Sequence, residues 1–197
     1  MPRLPRSIQD LTATNILEAA ARVLARQGQA ATISEVAAEA GVARATLYRY
    51  FRTRDQLVSA LWGAALAEVD ERLGAARLEQ VPFEEGIARV VRAIGSVGEH
   101  YEVLLREPAY EELERGREVL GERVRELLER GQREGALRSD IAPELIGEMF
   151  GGIVLAGLRR AFAAGIGIEE ASAAVVGVFL HGATRAGDVE RPSAETS

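Results

Sequence analysis

The stretch TISEVAAEAGVARATLYRYFRTR, residues 32–54, decides the fold. Thr32 and Glu35 have the spacing of a capping box, which predicts a short helix over residues 32–40. Gly41 can adopt a positive φ angle, so we expect the chain to turn there and the helix to end sharply.

A second short helix is predicted over residues 43–51, and Thr53 with Gln56 forms another capping-box pattern that opens a third helix. Two short helices joined by a glycine-containing turn form a helix-turn-helix, whose second helix enters the DNA major groove. The spacing alone fits equally well an ordinary helical hairpin with a solvated polar face. The apolar or small residues that we expect to face the inside of the head are Val36, Ala37, Ala40, Val42, Leu47 and Phe51.

Two longer segments resemble the TetR family of bacterial transcriptional regulators. Residues 41–57, GVARATLYRYFRTRDQL, resemble the family's recognition-helix segment almost position by position. Residues 16–41, ILEAAARVLARQGQAATISEVAAEAG, resemble the buttressing helix and the first helix of the motif. The resemblance is strong over about the first 60 residues, and beyond them it extends only to length, helical character and helix order. Ala43 departs from the Ser or Thr frequent in the family, so a helix cap is expected to be missing.

The resemblance implies DNA contacts from the second motif helix and its flanks. We expect Arg44 to contact a base edge, because bidentate Arg to guanine is the commonest specific pairing. Thr46 could bond a phosphate or a base, and Tyr48, Arg49 and Tyr50 could grip the backbone or pack against sugars and thymine methyl groups. Arg54 and Thr32 lie at helix starts, where charge and helix dipole favour phosphate. The predicted DNA-binding residues are Thr32, Arg44, Thr46, Tyr48, Arg49, Tyr50 and Arg54.

The charge distribution supports a basic DNA-binding segment. The chain has a net charge of −6, but residues 1–54 have eight arginines against four acids, a balance of +4. The remainder has 16 arginines against 26 acids, a balance of −10. A basic head on an acidic body is the expected footprint of local phosphate binding.

Composition excludes several other classes of protein. The 197 residues are 47% hydrophobic and 27% charged, as in a soluble globular protein, and the absence of cysteine rules out disulfides and Cys-ligated metal. The first ten residues lack the apolar core of a signal peptide, and no apolar run is long enough to span a membrane. We expect a cytoplasmic protein without a cofactor, a metal site or a membrane partner.

The remaining helical patterns predict an all-α fold of about nine helices, with a three-helix head and a helical body. The predicted domains are a DNA-binding domain with an N-terminal arm over residues 1–54, an effector-binding and dimerisation domain over 55–187, and a disordered tail over 188–197. Outside the motif, helices are expected over residues 7–27, 53–73, 83–98, 110–134, 143–164 and 169–186.

The last two predicted helices are the most apolar and contain several glycines and alanines. They could form internal core or pair with their copies across a two-fold axis. The resemblance implies the second arrangement: a homodimer on a palindromic operator of double-stranded DNA, acting as a repressor that a small-molecule effector releases.

The same resemblance places seven residues on helices that surround a ligand pocket, although each of them could equally serve packing. Because the chain has few aromatic and many aliphatic residues, we expect an apolar effector. The candidates are Trp62, His100, Tyr101, Leu104, Tyr110, Met149 and Phe150.

Two other functions compete with a ligand-responsive repressor. An enzyme is disfavoured because His100 and His181 have no Ser or Asp at a spacing typical of a catalytic pair. The paired acids lie near helix starts, where the helix macrodipole already accounts for them. A DNA-binding or protein-interaction module that does not respond to a ligand, and whose body only dimerises, shares the same head and stays open at this point.

Overall fold

A computed structural model describes residues 8–100 and 110–181, and these residues are helical with no strand. They contain eight of the about nine predicted helices. The predicted N-terminal arm, the end of the last helix, the tail, Tyr101 and Leu104 lie outside the described residues. The helices are α1 Ile8–Gln27, α2 Ile33–Glu39, α3 Arg44–Tyr50, α4 Arg54–Ala75, α5 Phe83–His100, α6 Tyr110–Arg133, α7 Pro143–Ala163 and α8 Ile168–His181, with 3-10 turns at Gly28–Ala30 and Leu78–Gln80.

The all-α prediction is confirmed, and the predicted helix boundaries agree with the observed ones to within a few residues. The predicted start of the first helix, Ser7, lies outside the described residues, and α4 continues to Ala75, beyond the predicted end at Leu73. In α2 and α4 the predicted first residues, Thr32 and Thr53, are N-caps that precede the helix.

The head is built on α1, which packs against α2 and α4. Its buried stripe consists of five residues that are all less than 5% exposed: Ile16, Ala19, Ala20, Val23 and Leu24. The small alanine side chains in this helix allow the short helices to approach closely. Hydrophobic burial thus fixes the position of the helix-turn-helix on a longer scaffold helix.

The helix α4 connects the head to the body. Its buried residues share one continuous core with α5, α6, α7 and α8, and they are Leu57, Leu61, Trp62, Ala65, Val69 and Leu73.

The C-terminal end of α4 is anchored by charged side chains from α5 and α6. Arg89 Nη1 donates to the carbonyl oxygen of Ala76 at 2.6 Å, which satisfies an acceptor at the helix end. Arg123 Nε lies 3.1 Å from Asp70 Oδ1, which pairs α6 with the last turns of α4. The chain then turns through Arg77, which has a left-handed φ of 49°.

Within the described residues, no helix has the length and apolar character needed to cross a membrane.

Candidate nucleic-acid interface

The capping box predicted at the start of α2 is present. The Glu35 backbone N–H donates to Thr32 Oγ1 at 3.3 Å, and the Thr32 backbone N–H donates to Glu35 Oε2 at 2.9 Å. Hydrogen bonds from Thr32, and a weaker one from Gln27, lower the pKa of the Glu35 carboxyl. The Thr32 hydroxyl also donates to Glu35 at 2.7 Å, so its local role is already satisfied by the cap.

The turn between α2 and α3 is a Schellman motif. Gly41 has a φ of 65°, its N–H donates to Ala38 O at 3.1 Å, and the Val42 N–H donates to Ala37 O at 3.0 Å. The positive φ predicted for Gly41 is therefore confirmed. One further acceptor, the carbonyl oxygen of Ala40, receives a 2.8 Å hydrogen bond from Asn15 Nδ2 of α1.

The recognition helix α3 begins without a side-chain cap. Its N-cap is Ala43, with φ −67° and ψ 145°, and no side chain bonds the first N–H groups. On its inner face Leu47 is fully buried, as predicted. Phe51 was expected to be core, but it is only half-buried, because it is the C-cap and lies at the edge where α3 ends.

The outer face of α3 presents most of the predicted DNA-binding residues to solvent. Arg44, Tyr48 and Arg49 are exposed, with Tyr48 at 41%, and Thr46 and Tyr50 are half-buried. The Arg49 guanidinium carbon lies 5.4 Å from the centroid of the Tyr50 ring. Thr32 is exposed at the N-cap of α2, and Arg54 is half-buried as the first residue of α4.

Arg52 is a candidate that the site prediction omitted. It is exposed between α3 and α4, and its backbone N–H donates to Gln56 Oε1 at 2.9 Å. Thr53 Oγ1 accepts from the Gln56 N–H at 3.1 Å, which is one half of the second predicted capping box. The Gln56 side chain binds the Arg52 N–H, one residue before the N–H that a capping box would use. The clustering of arginines in this part of the sequence could have identified Arg52 as a candidate.

The arginines of the head fall into two electrostatic groups. Arg22 Nε and Arg26 Nη2 both bind the Glu39 carboxylate, at 2.9 and 2.7 Å, and so join α1 to α2. In the part of the chain that the structure describes, Arg44, Arg49 and Arg52 form no ion pair. The positive charge that an anion could reach is therefore concentrated on α3 and its C-terminal flank.

Of the seven predicted ligand residues, the structure describes the side chains of Trp62, Met149 and Phe150. Trp62 is 7% exposed, and its indole N–H has no hydrogen-bond partner within the described residues. Phe150 is 2% exposed and packs on Phe179 with ring centroids 4.6 Å apart, whereas Met149 is 55% exposed. His100 and Tyr110 are the last residue of α5 and the first of α6.

A depression of about 510 Å³ lies at the C-terminal end of α6 and the loop that follows it. It is open to solvent, and the described residues that line it are Glu129, Gln132, Arg133 and Ser139. Among the described side chains, no group of acids and histidines has the arrangement of a metal site.

Comparison with known proteins gives the same assignment for the head and for the whole fold. Residues 16–61 match the family described as "Bacterial regulatory proteins, tetR family". The TetR-like regulator LfrR from Mycobacterium smegmatis, solved with proflavine, is 25% identical with a TM-score of 0.75, over 91% of this chain and 99% of that one.

Two further solved structures share the fold. FadR from Bacillus subtilis, solved with stearoyl-CoA, is 21% identical with a TM-score of 0.73, over 87% of this chain and 99% of that one. The regulator PfmR from Thermus thermophilus is 24% identical with a TM-score of 0.69, over 86% of this chain and 99% of that one. The helical body, which the family match does not reach, therefore has counterparts along nearly its whole described length.

Proposed function

The chain belongs to the TetR family of bacterial regulatory proteins and is a DNA-binding regulator, and we propose that it is a dimeric repressor that a small molecule releases from a palindromic operator. The proposed DNA contacts are supported by the exposed face of α3 and the turn that follows it. There Arg44, Arg49 and Arg52 have no ion-pair partner among the described residues. Arginines in this state can bind phosphate and guanine without first breaking an internal ion pair.

The functions proposed for the two parts of the chain agree with the charge of each part. Residues 1–54 with the N-terminal arm bind DNA, residues 55–187 bind the effector and dimerise, and the protein acts in the cytoplasm. In the head, Arg44 reads a base. The DNA backbone is contacted by the other six predicted residues and by Arg52: Thr32, Thr46, Tyr48, Arg49, Tyr50, Arg52 and Arg54.

Dimerisation through α7 and α8 is supported by the apolar side chains that these helices expose. Leu145, Met149 and Val178 are 51%, 55% and 45% exposed, and a side chain added at Gly152 or Gly177 meets nothing within 4 Å. Covering this surface with a second copy removes it from water. Two heads about 34–36 Å apart can then read half-sites one DNA turn apart.

An effector of largely apolar character is supported by the contact of the buried Phe150 with the half-buried Phe179 and by the buried Trp62, whose N–H is a donor left for a ligand acceptor. The compounds seen with the structural neighbours, stearoyl-CoA in FadR and proflavine in LfrR, are the first to test. An effector must both raise the melting temperature and weaken DNA binding, because it has to favour the state that does not bind the operator.

The test of the proposed function is binding of the purified protein to the intergenic DNA upstream of its own gene, at two salt concentrations and against random competitor DNA. We expect tight, competitor-resistant binding and a footprint with inverted symmetry. Arg49→Ala should weaken binding, while Arg133→Ala, an exposed arginine on α6, should not. Weak binding that disappears with salt and gives no footprint would contradict the proposal.

A further inference from the structure

The outward face of α7 has a regular order of residue types. Along it lie Leu145, Glu148, Met149, Gly152, Ala156 and Arg160, all exposed. The opposite face of the same helix is buried in the body through Ile146, Phe150, Val154 and Leu158. The first set, the outer face of α7, is therefore free of contacts with the protomer's own core.

Charge is separated along this outer face. Glu148 lies toward the N-terminal end, Arg160 lies toward the C-terminal end, and the small residues Gly152 and Ala156 lie between them. In the described part of the chain neither Glu148 nor Arg160 forms an ion pair, whereas on α6 Arg123 and Arg125 are both paired. The outer face thus has an acid and a base without partners, separated by a surface small enough for another helix to approach.

We propose that α7 packs antiparallel on α7 of a second copy, with Glu148 of each copy paired to Arg160 of the other and Gly152 facing Ala156. This inference rests on the proposed dimer and adds the orientation and the residue pairs of its interface.

The register follows from two-fold symmetry. In an antiparallel pair of identical helices, residues equally far before and after the crossing point face each other. Glu148 and Arg160 are six residues before and after Val154, and Gly152 and Ala156 are two residues before and after it. At 1.5 Å per residue the charges lie about 9 Å on either side of the crossing. A parallel pairing would instead place glutamate against glutamate and arginine against arginine.

Complementary and opposed charges distinguish the two orientations in a mixing experiment. The variant E148R/R160E keeps composition and net charge and restores both pairs in its own homodimer. In a mixed dimer with the wild type, the antiparallel register places Glu148 against glutamate and Arg160 against arginine. We therefore expect the two proteins to sort into homodimers, with the equilibrium constant for the mixed dimer about tenfold or more below the random value at low salt.

The measurement is native mass spectrometry of size-tagged wild type and variant after unfolding and refolding together. Tagged and untagged wild type set the random value, and the swap E126R/R133E, on exposed positions of α6, should also give that value. The deficit of mixed dimer should shrink as salt is raised. A mixed dimer at the random value, or above it as a parallel register requires, would overturn the inference. Monomers throughout would instead mean that the proposed dimer itself is wrong.

Discussion

Asn15 Nδ2 on α1 donates a 2.8 Å hydrogen bond to the carbonyl oxygen of Ala40, the C-cap of α2, 25 residues along the chain. This bond joins the scaffold helix to the turn of the helix-turn-helix. It satisfies an acceptor at the negative end of α2, which the Schellman hydrogen bonds of Gly41 and Val42 leave open.

Asn15→Asp should therefore destabilise the protein by about 2 kcal/mol, because a carboxylate of the same shape loses the donor and faces a carbonyl and a helix C-terminus. Urea unfolding measures the change. Asn15→Ala is the matched control and should cost less, about 1 kcal/mol, since it removes the bond without adding a charge. If both variants were as stable as the wild type, the contact would contribute nothing.

The hydrogen bonds of Glu39 should make the folding stability depend on pH in the acid range. Hydrogen bonds from Arg22, and then from Arg26, lower the pKa of the Glu39 carboxyl below its ordinary value of 4.5. In this range the unfolded chain binds more protons than the folded one, so stability is fully present above about pH 4.5 and decreases as the pH falls through the folded pKa.

Glu39→Gln should accordingly lower the melting temperature at neutral pH and flatten its decline in the acid range, where the wild-type carboxylate takes up its proton. The comparison is a series of thermal melts against pH, with Glu18→Gln as the control on an exposed carboxylate of α1. If the acid-dependent decline is as steep in the Glu39 variant as in the wild type, the ion pairs contribute no measurable stability.

Ala43→Ser should stabilise the protein by about 1 kcal/mol. The backbone at this position, with φ −67° and ψ 145°, is already in the extended region that an N-cap requires, and only the side-chain acceptor is missing. Equilibrium unfolding should show the gain in the serine variant, while Ala43→Gly should give only part of it. A serine variant no more stable than the wild type would mean that water already caps α3.

Gly157→Ala should destabilise the body by about 1–3 kcal/mol, because the new methyl group would lie 2.5 Å from Cγ2 of the stiff Val175 side chain. Gly121→Ala is the control, since nothing lies within 4 Å of the added atom and helix propensity favours alanine by about 1 kcal/mol. The double variant Gly157→Ala/Val175→Ala should relieve the clash. Gly157→Ala should therefore cost less in the Val175→Ala background than in the wild type, and an equal cost in both backgrounds would refute this explanation.

Arg44→Ala should relax the sequence preference and cost about 1–3 kcal/mol at one base position. Binding to the selected operator and to random DNA distinguishes the two kinds of contact. Arg52→Ala should weaken both by similar amounts and reduce the salt dependence, as expected for a phosphate contact. Equal loss on both DNAs for Arg44→Ala would show that Arg44 binds only phosphate.

The head was predictable because its boundaries are encoded locally. The pair Thr32 and Glu35 and the single glycine at position 41 each fix a helix end within a few residues, and the structure shows both. The contacts of Asn15 with Ala40 and of Glu39 with α1 were not predictable, because they join residues far apart in sequence through side chains that fit many environments.

The body was predictable as helices but not as surfaces. The apolar pattern of α7 is nearly continuous, so the sequence did not separate its inner face from its outer face. Met149 and Phe150 are neighbours and were assigned together to a pocket, yet one is exposed and the other is buried. Adjacent residues on a helix point about 100° apart, and only packing against α8 determines which of them faces inward.

The anchoring of α4 at one end has a mechanical consequence. The helix is an unbroken rod of 22 residues, fixed near its C-terminal end by Arg89 and Arg123, with Arg54 at its N-terminal end beside the recognition helix. Its length of about 33 Å makes it a lever, so a tilt of about 5° at the anchored end displaces the other end by about 3 Å. A tilt in the body that is too small to disturb its core packing thus becomes, at the DNA, a displacement as long as a hydrogen bond.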